Sequence, residues 1–168
     1  MIAVKKQLIS FETAKKLKTT GCPQESLFYW VNFGNGSGEF KIYYIEDILK
    51  DIFRYLETAE YPEKNYEQYE LNLVLNYFKK MELEYYSAFS AEEIGNILPE
   101  TISEGYLDIT KENNKWNVDY INDKDEGFFE FYNLSNDNLA EAIADIILQL
   151  IEKKFISFIG ANQKKSVS

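Results

Sequence analysis

The sequence predicts an α+β fold in which antiparallel strands, in two hairpin regions, pack against about five helices. Three observations carry this prediction. Apolar residues recur every three to four positions in several separated stretches, as they do in helices with one buried face. Other stretches alternate apolar and polar residues around turn-forming clusters, as hairpins do. The chain has 168 residues, is 45% hydrophobic, and carries 13 Tyr, 12 Phe and 2 Trp. That is enough apolar surface to offset the entropy lost on ordering.

The elements follow in order. Ser10 can cap a helix over about residues 11–19, with Glu12 in its first turn and Phe11, Ala14 and Leu17 on one face. Gly21 and Pro23 end it. Residues 26–33 (SLFYWVNF) are aromatic and β-branched, and they lead into Gly34-Asn35-Gly36-Ser37-Gly38. Phe40, Ile42 and Tyr44 then alternate, which makes a β-hairpin. No Lys-Ser/Thr and no helix follow the glycines, so a plain turn fits better than a phosphate cradle.

Helical period resumes at Ile45 with Ile48, Leu49, Ile52, Phe53 and Leu56 on one stripe, and Tyr61-Pro62 closes it. After a polar link (Glu63 to Glu67), Leu71, Val74, Leu75, Phe78 and Met81 form the stripe of a third helix. Ser90-Ala91-Glu92-Glu93 is a capping box that opens a short helix, with Ile94 and Leu98 inward and Pro99 as its stop. Residues 106–110 and 116–121 alternate with period two and are joined by 111–115. A third strand is expected at 128–132, after the turn Asn122–Gly127. The last and longest helix is capped near Ser135 or Asn136, with Leu139, Ile143, Ile146, Ile147, Leu150 and Ile151 as its core face. Residues 1–159 are expected to form a single domain and 160–168 a flexible polar tail. Within the domain, 11–58 and 91–154 share a helix–strands–helix outline with negligible sequence identity.

Composition excludes several chemistries. Without histidine there is no His-based triad, His general base or His-ligated zinc. One cysteine, Cys22, precludes an internal disulfide framework and a CxxC site. It has no basic neighbour nearer than Lys18 and is expected to be inert. A net charge of −10 argues against direct nucleic-acid binding. Among 18 basic residues Arg54 is the only arginine, so bidentate guanidinium recognition has one candidate at most. The N-terminus lacks the apolar core of a secretory signal and no run is long enough for a membrane span, so a cytoplasmic protein is expected.

Few constellations survive inspection. Counting an EF-hand from Asn122 places Gly127 correctly but puts Lys124 and Asn133 at ligand positions, so no metal site is expected. Asp108 and Asp119, on facing strands, are the best carboxylate pair for acid–base hydrolysis. They fall opposite Leu107, Ile109, Trp116, Val118 and Tyr120, on the face expected in water, where carboxyls titrate normally. No catalytic residue and no cofactor are expected. The aromatic clusters are the stronger lead. Neighbouring strand residues point to opposite faces, so a second aromatic face needs a cover or a partner. Tyr29, Trp30, Tyr43, Tyr85, Phe129 and Tyr132 are the candidate interaction surface.

Phe11-Glu12-Thr13-Ala14-Lys15-Lys16-Leu17-Lys18, with Gly21 and the aromatic strand to Trp30, resembles the start of a group of uncharacterised bacterial proteins carried by prophages and other mobile elements. Phe89 to Glu100, ending in Leu98-Pro99-Glu100, is similar to a helix of that group. So are Ala140 to Ala144 and Leu150 to Ile156 to its terminal helix. The resemblance implies a mobile-element setting and carries no catalytic motif. The expectation is a non-enzymatic protein–protein interaction module, binding a protein partner or itself, with no membrane. The alternatives are an acidic DNA mimic that inhibits DNA-binding proteins and a carboxylate-based hydrolase.

Overall fold

The computed structural model describes residues 7–34, 38–56, 66–102, 105–121 and 136–158. These residues form five helices and two three-stranded antiparallel sheets, the α+β class expected. In chain order the elements begin with α1 (Phe11–Thr19), β1 (Phe28–Asn32), β2 (Lys41–Tyr44), α2 (Ile45–Leu56), α3 (Tyr66–Lys80) and β3 (Glu84–Ser87). They continue with α4 (Ala91–Gly95), β4 (Thr101–Ile102), β5 (Gly105–Glu112), β6 (Lys115–Ile121) and α5 (Leu139–Glu152). The chain divides into two compact units, Gln24–Ala88 and Met1–Pro23 with Phe89–Ser168. The helix over 11–19 thus belongs with the second half of the sequence, where the sequence outline groups it with 28–58.

In the unit Gln24–Ala88 the sheet order is β2-β1-β3, all antiparallel, with Tyr29 opposite Tyr43 and Ser87, and Trp30 opposite Ile42 and Tyr86. Period-two alternation puts Tyr29 and Val31 on one face, where they join Ile45, Ile48, Leu49 and Ile52 of α2 and Val74 and Phe78 of α3 in one buried cluster. Ring contacts hold it: Tyr29 meets Phe78 edge-on at 5.4 Å, and Phe78 stacks on Tyr85 at 4.8 Å. The Tyr29 hydroxyl donates to the Gln24 carbonyl and accepts from the Ser26 N–H, so its burial strands no polar atom. Each such ring contributes roughly 1.5–3 kcal/mol by leaving water. The stripe read from sequence holds at Ile45, Ile48, Leu49, Ile52, Val74 and Phe78, whereas Met81 lies past the end of α3 and is 46% exposed. There the chain turns through Glu82 at φ 52° and enters β3, a strand that the sequence reading does not contain.

In the other unit, α1 ends as read: Ser10 accepts from the Thr13 N–H, and Gly21 at φ +84° adopts the left-handed turn that a side chain would resist. Glu141 of α5 accepts from the Ser10 N–H and from the Thr13 hydroxyl (2.7 Å), which fastens the start of α1 to α5. The capping box at Ser90 is complete in both directions. The second sheet has the order β4-β5-β6. Asn113 and Asn114, at φ 50° and 64°, make its hairpin turn a two-residue one rather than the five-residue link 111–115. Two positive φ values match the right-handed twist of paired strands, and asparagine tolerates them. Val118, Tyr120 and the α5 face from Ala140 to Leu150 form the core here, with Ile143, Ile146, Ile147 and Leu150 nearly inaccessible. The cap of α5 is Asn138, two or three residues beyond the expected Ser135 or Asn136. No helix among the described residues is long and apolar enough to cross a membrane. The expected strand at 128–132, the turn at 122–127 and the tail at 160–168 lie outside the described residues, as do the side chains of Phe53 and Leu56.

Candidate functional site

A cleft of about 490 Å³ opens where the hairpin end of β5–β6 meets the starts of α4 and α5. Its construction follows from the register. Leu107, Ile109 and Lys111 share a face of β5, opposite Tyr120, Val118 and Trp116 on β6. Helix α5 covers the Val118–Tyr120 end of that face, and the exposure of these two residues is 0% and 2%. The cover thins across to β5, where Ile109, the partner of Val118, is 40% exposed, and toward the turn, where Trp116 is half-buried. Lys111, directly opposite Trp116, lays its Nζ 4.8 Å from the centre of the Trp116 ring.

Backbone pairing fixes the walls. Trp116 and Asn136 exchange N–H···O bonds of 2.7 and 3.0 Å, which sets the segment before α5 beside β6. Leu8 bridges Ser90, and the Asn138 side-chain amide donates to the Leu8 carbonyl at 2.7 Å. Four stretches distant in sequence are thereby held around one opening, lined also by Gln7 and Leu139.

The polar groups of the cleft divide into two sets. Those at the helix starts are used internally. The Ser90 N–H donates to Glu93, the Glu93 N–H to Ser90, the Ala140 N–H to Asn138 and the Asn138 N–H to Asn136. An anion would therefore find these donors taken. Glu92, Asp137 and Lys111 are exposed at the opening, and none of them forms an ion pair among the described residues.

The residues named from sequence lie elsewhere. Tyr29 is fully buried in the core of the unit Gln24–Ala88, and Tyr43 and Tyr85 are half-buried and pack against that core. All three share the sheet face that packs against α2 and α3. Trp30 is on the opposite face, half-buried, among Phe28, Ile42 and Tyr86. Phe129 and Tyr132 lie outside the described residues, as do Asn35 to Ser37 of the glycine-rich loop. Asp108 does pair with Asp119 across the strands. Asp119 is only partly in water, however, and burial first, then the Asp108 charge, raises its carboxyl above the ordinary value. Cys22 is buried, which pushes its thiol up to about 11 and leaves no thiolate near neutrality. No group of three potential metal ligands occurs among the described residues.

Sequence reasoning placed Trp116 and Ile109 on the core face and Lys111 in a loop, and so missed the cleft. Its signal was present: Lys111 continues the inward alternation Leu107, Ile109, a charged residue where the core pattern calls for an apolar one. Comparison of the chain with protein-family models, with curated proteins and with solved structures finds no match.

Proposed function

We propose that the chain is a non-enzymatic protein–protein interaction module whose partner enters the cleft between the β5–β6 turn and the start of α5, in the mobile-element setting that its sequence resemblance implies. One observation carries this reading. The cleft sits on paired strands and capped helices, yet its Trp116 ring is only half-buried, its Glu92 and Asp137 carboxylates form no ion pair among the described residues, and Ile109 beside it is 40% exposed. Half-exposed tryptophan beside polar groups is the composition of recognition sites. The Ser90 hydroxyl of the cleft accepts from the Glu93 N–H, and the sequence has no histidine to activate it as a nucleophile.

The test places a photo-crosslinking residue at Ile109, and in a second variant at Met81, which is comparably exposed in the unit Gln24–Ala88. In extracts of its native cells, one protein should crosslink through position 109 and not through 81. Equal capture at both positions, or none at 109, overturns the proposal.

A further inference from the structure

We propose that the cleft takes an aliphatic ammonium group, supplied by a lysine side chain of the protein partner, with Trp116 as its platform and Glu92 and Asp137 as its counter-charges. This deepens the interaction reading above and rests on it. The chain already shows that the platform accepts such a group, since Lys111 Nζ lies 4.8 Å from the Trp116 ring centre. That is within the roughly 6 Å over which the ring quadrupole attracts a cation. Lys111 holds the place loosely: it is exposed and has no carboxylate partner among the described residues. An incoming ammonium has more to gain. It meets the same ring in a cleft whose lining also carries Glu92 and Asp137.

The opposite charge fits poorly. The Ser90, Glu93, Asn138 and Ala140 N–H groups that would hold an anion already donate within the chain. Two carboxylates and one ammonium leave the lining negative, and the net charge of −10 raises the local concentration of cations. A volume of about 490 Å³ is within the range of sites that enclose small ligands. Lys111 then acts as an internal competitor: it swings off the ring when the partner's lysine arrives and returns when it leaves.

The test is an NMR titration of the full chain, read at the indole N–H signals of its two tryptophans, with Trp30 as internal reference. The probe is Nα-acetyl-lysine methylamide, with the norleucine analogue as its uncharged counterpart and putrescine as a free diamine. The Trp116 signal should move and saturate, with affinity on the order of millimolar, as one cation–π contact and two screened carboxylates allow. Trp30 should stay still, norleucine should bind at least about fivefold more weakly, and the double variant E92Q/D137N should weaken lysine binding about threefold or more. Parallel movement of both indoles, equal binding of norleucine, or an unaffected double variant overturns the cation site. Tighter binding of putrescine than of blocked lysine overturns the partner's lysine as the source. Failure here with site-specific crosslinking at Ile109 intact would sink the cation chemistry alone, whereas saturation here with no crosslinked protein would sink the interaction reading.

Discussion

The two sheets are built alike and finished differently. Each has three antiparallel strands with one face turned to helices. In the unit Gln24–Ala88, α2 and α3 together close that face, so Tyr29 and Val31 of the central strand are 0% and 1% exposed. In the other unit α5 covers the face only in part, and exposure goes from 0% at Val118 on β6 to 40% at its partner Ile109 on β5. The difference shows why aromatic richness alone does not mark a binding surface. Among the described strands the one with the densest aromatic cluster, Phe28-Tyr29-Trp30, supplies a core, whereas a single tryptophan near the turn of a hairpin lines the cleft.

The comparison can be broken most forcefully at its closed end. Replacing Tyr29 by alanine removes a fully buried ring that packs against Phe78 and Tyr85 and is expected to cost about 3–5 kcal/mol. Hydrogen exchange should show the loss in residues 24–88, and protection unchanged there would contradict the closed core. The next largest effect belongs to Glu141→Ala. It leaves the Ser10 N–H and the buried Thr13 hydroxyl without their charged acceptor, for about 1.5–3 kcal/mol in urea unfolding. At the open end, Trp116→Ala should cost only about 1 kcal/mol, because the ring is half-buried and its strand is held by backbone bonds to Asn136. A loss as large as that of Tyr29→Ala would mean that the cleft is core after all.

The smallest effect concerns pH. Burial, and secondly the Asp108 charge, hold the Asp119 carboxyl above its ordinary value, so folding disfavours its charged form. The native state therefore gains from this group fully below the ordinary carboxylate range and loses that gain as the pH rises through the raised value. Asp119→Asn should stabilise the protein by about 0.2–1 kcal/mol near neutrality, the worth of a like-charge cross-strand pair. The advantage should fade in acid, which thermal melts at the two pH values will read; an advantage that grows in acid has the wrong sign.

Much of this fold was legible because it is written in local signals. Ser10, Gly21 and the Ser90–Glu93 box mark helix ends by their own chemistry, and the stripe from Ile45 to Ile52 announces α2 by period. What stayed hidden lacked such marks. The turn into β3 passes through Glu82 with no glycine or proline, so Tyr85 and Tyr86 read as a loose aromatic pair. Asn136 and Asn138 are equally good caps on paper; the choice falls to Asn138 because Asn136 is pinned to Trp116. The cleft was hidden for a further reason: alternation says which face a residue occupies, and only tertiary packing says where its cover ends.

The internal competition between Lys111 and an incoming ammonium offers the most direct measurement. Lysine binding at the Trp116 indole should be compared between the wild type and Lys111→Ala. Freeing the ring of its own cation should tighten binding about two- to fivefold, the range of one exposed cation–π contact. Weaker or unchanged binding in Lys111→Ala would mean that the Trp116 face is not the place where the ammonium sits.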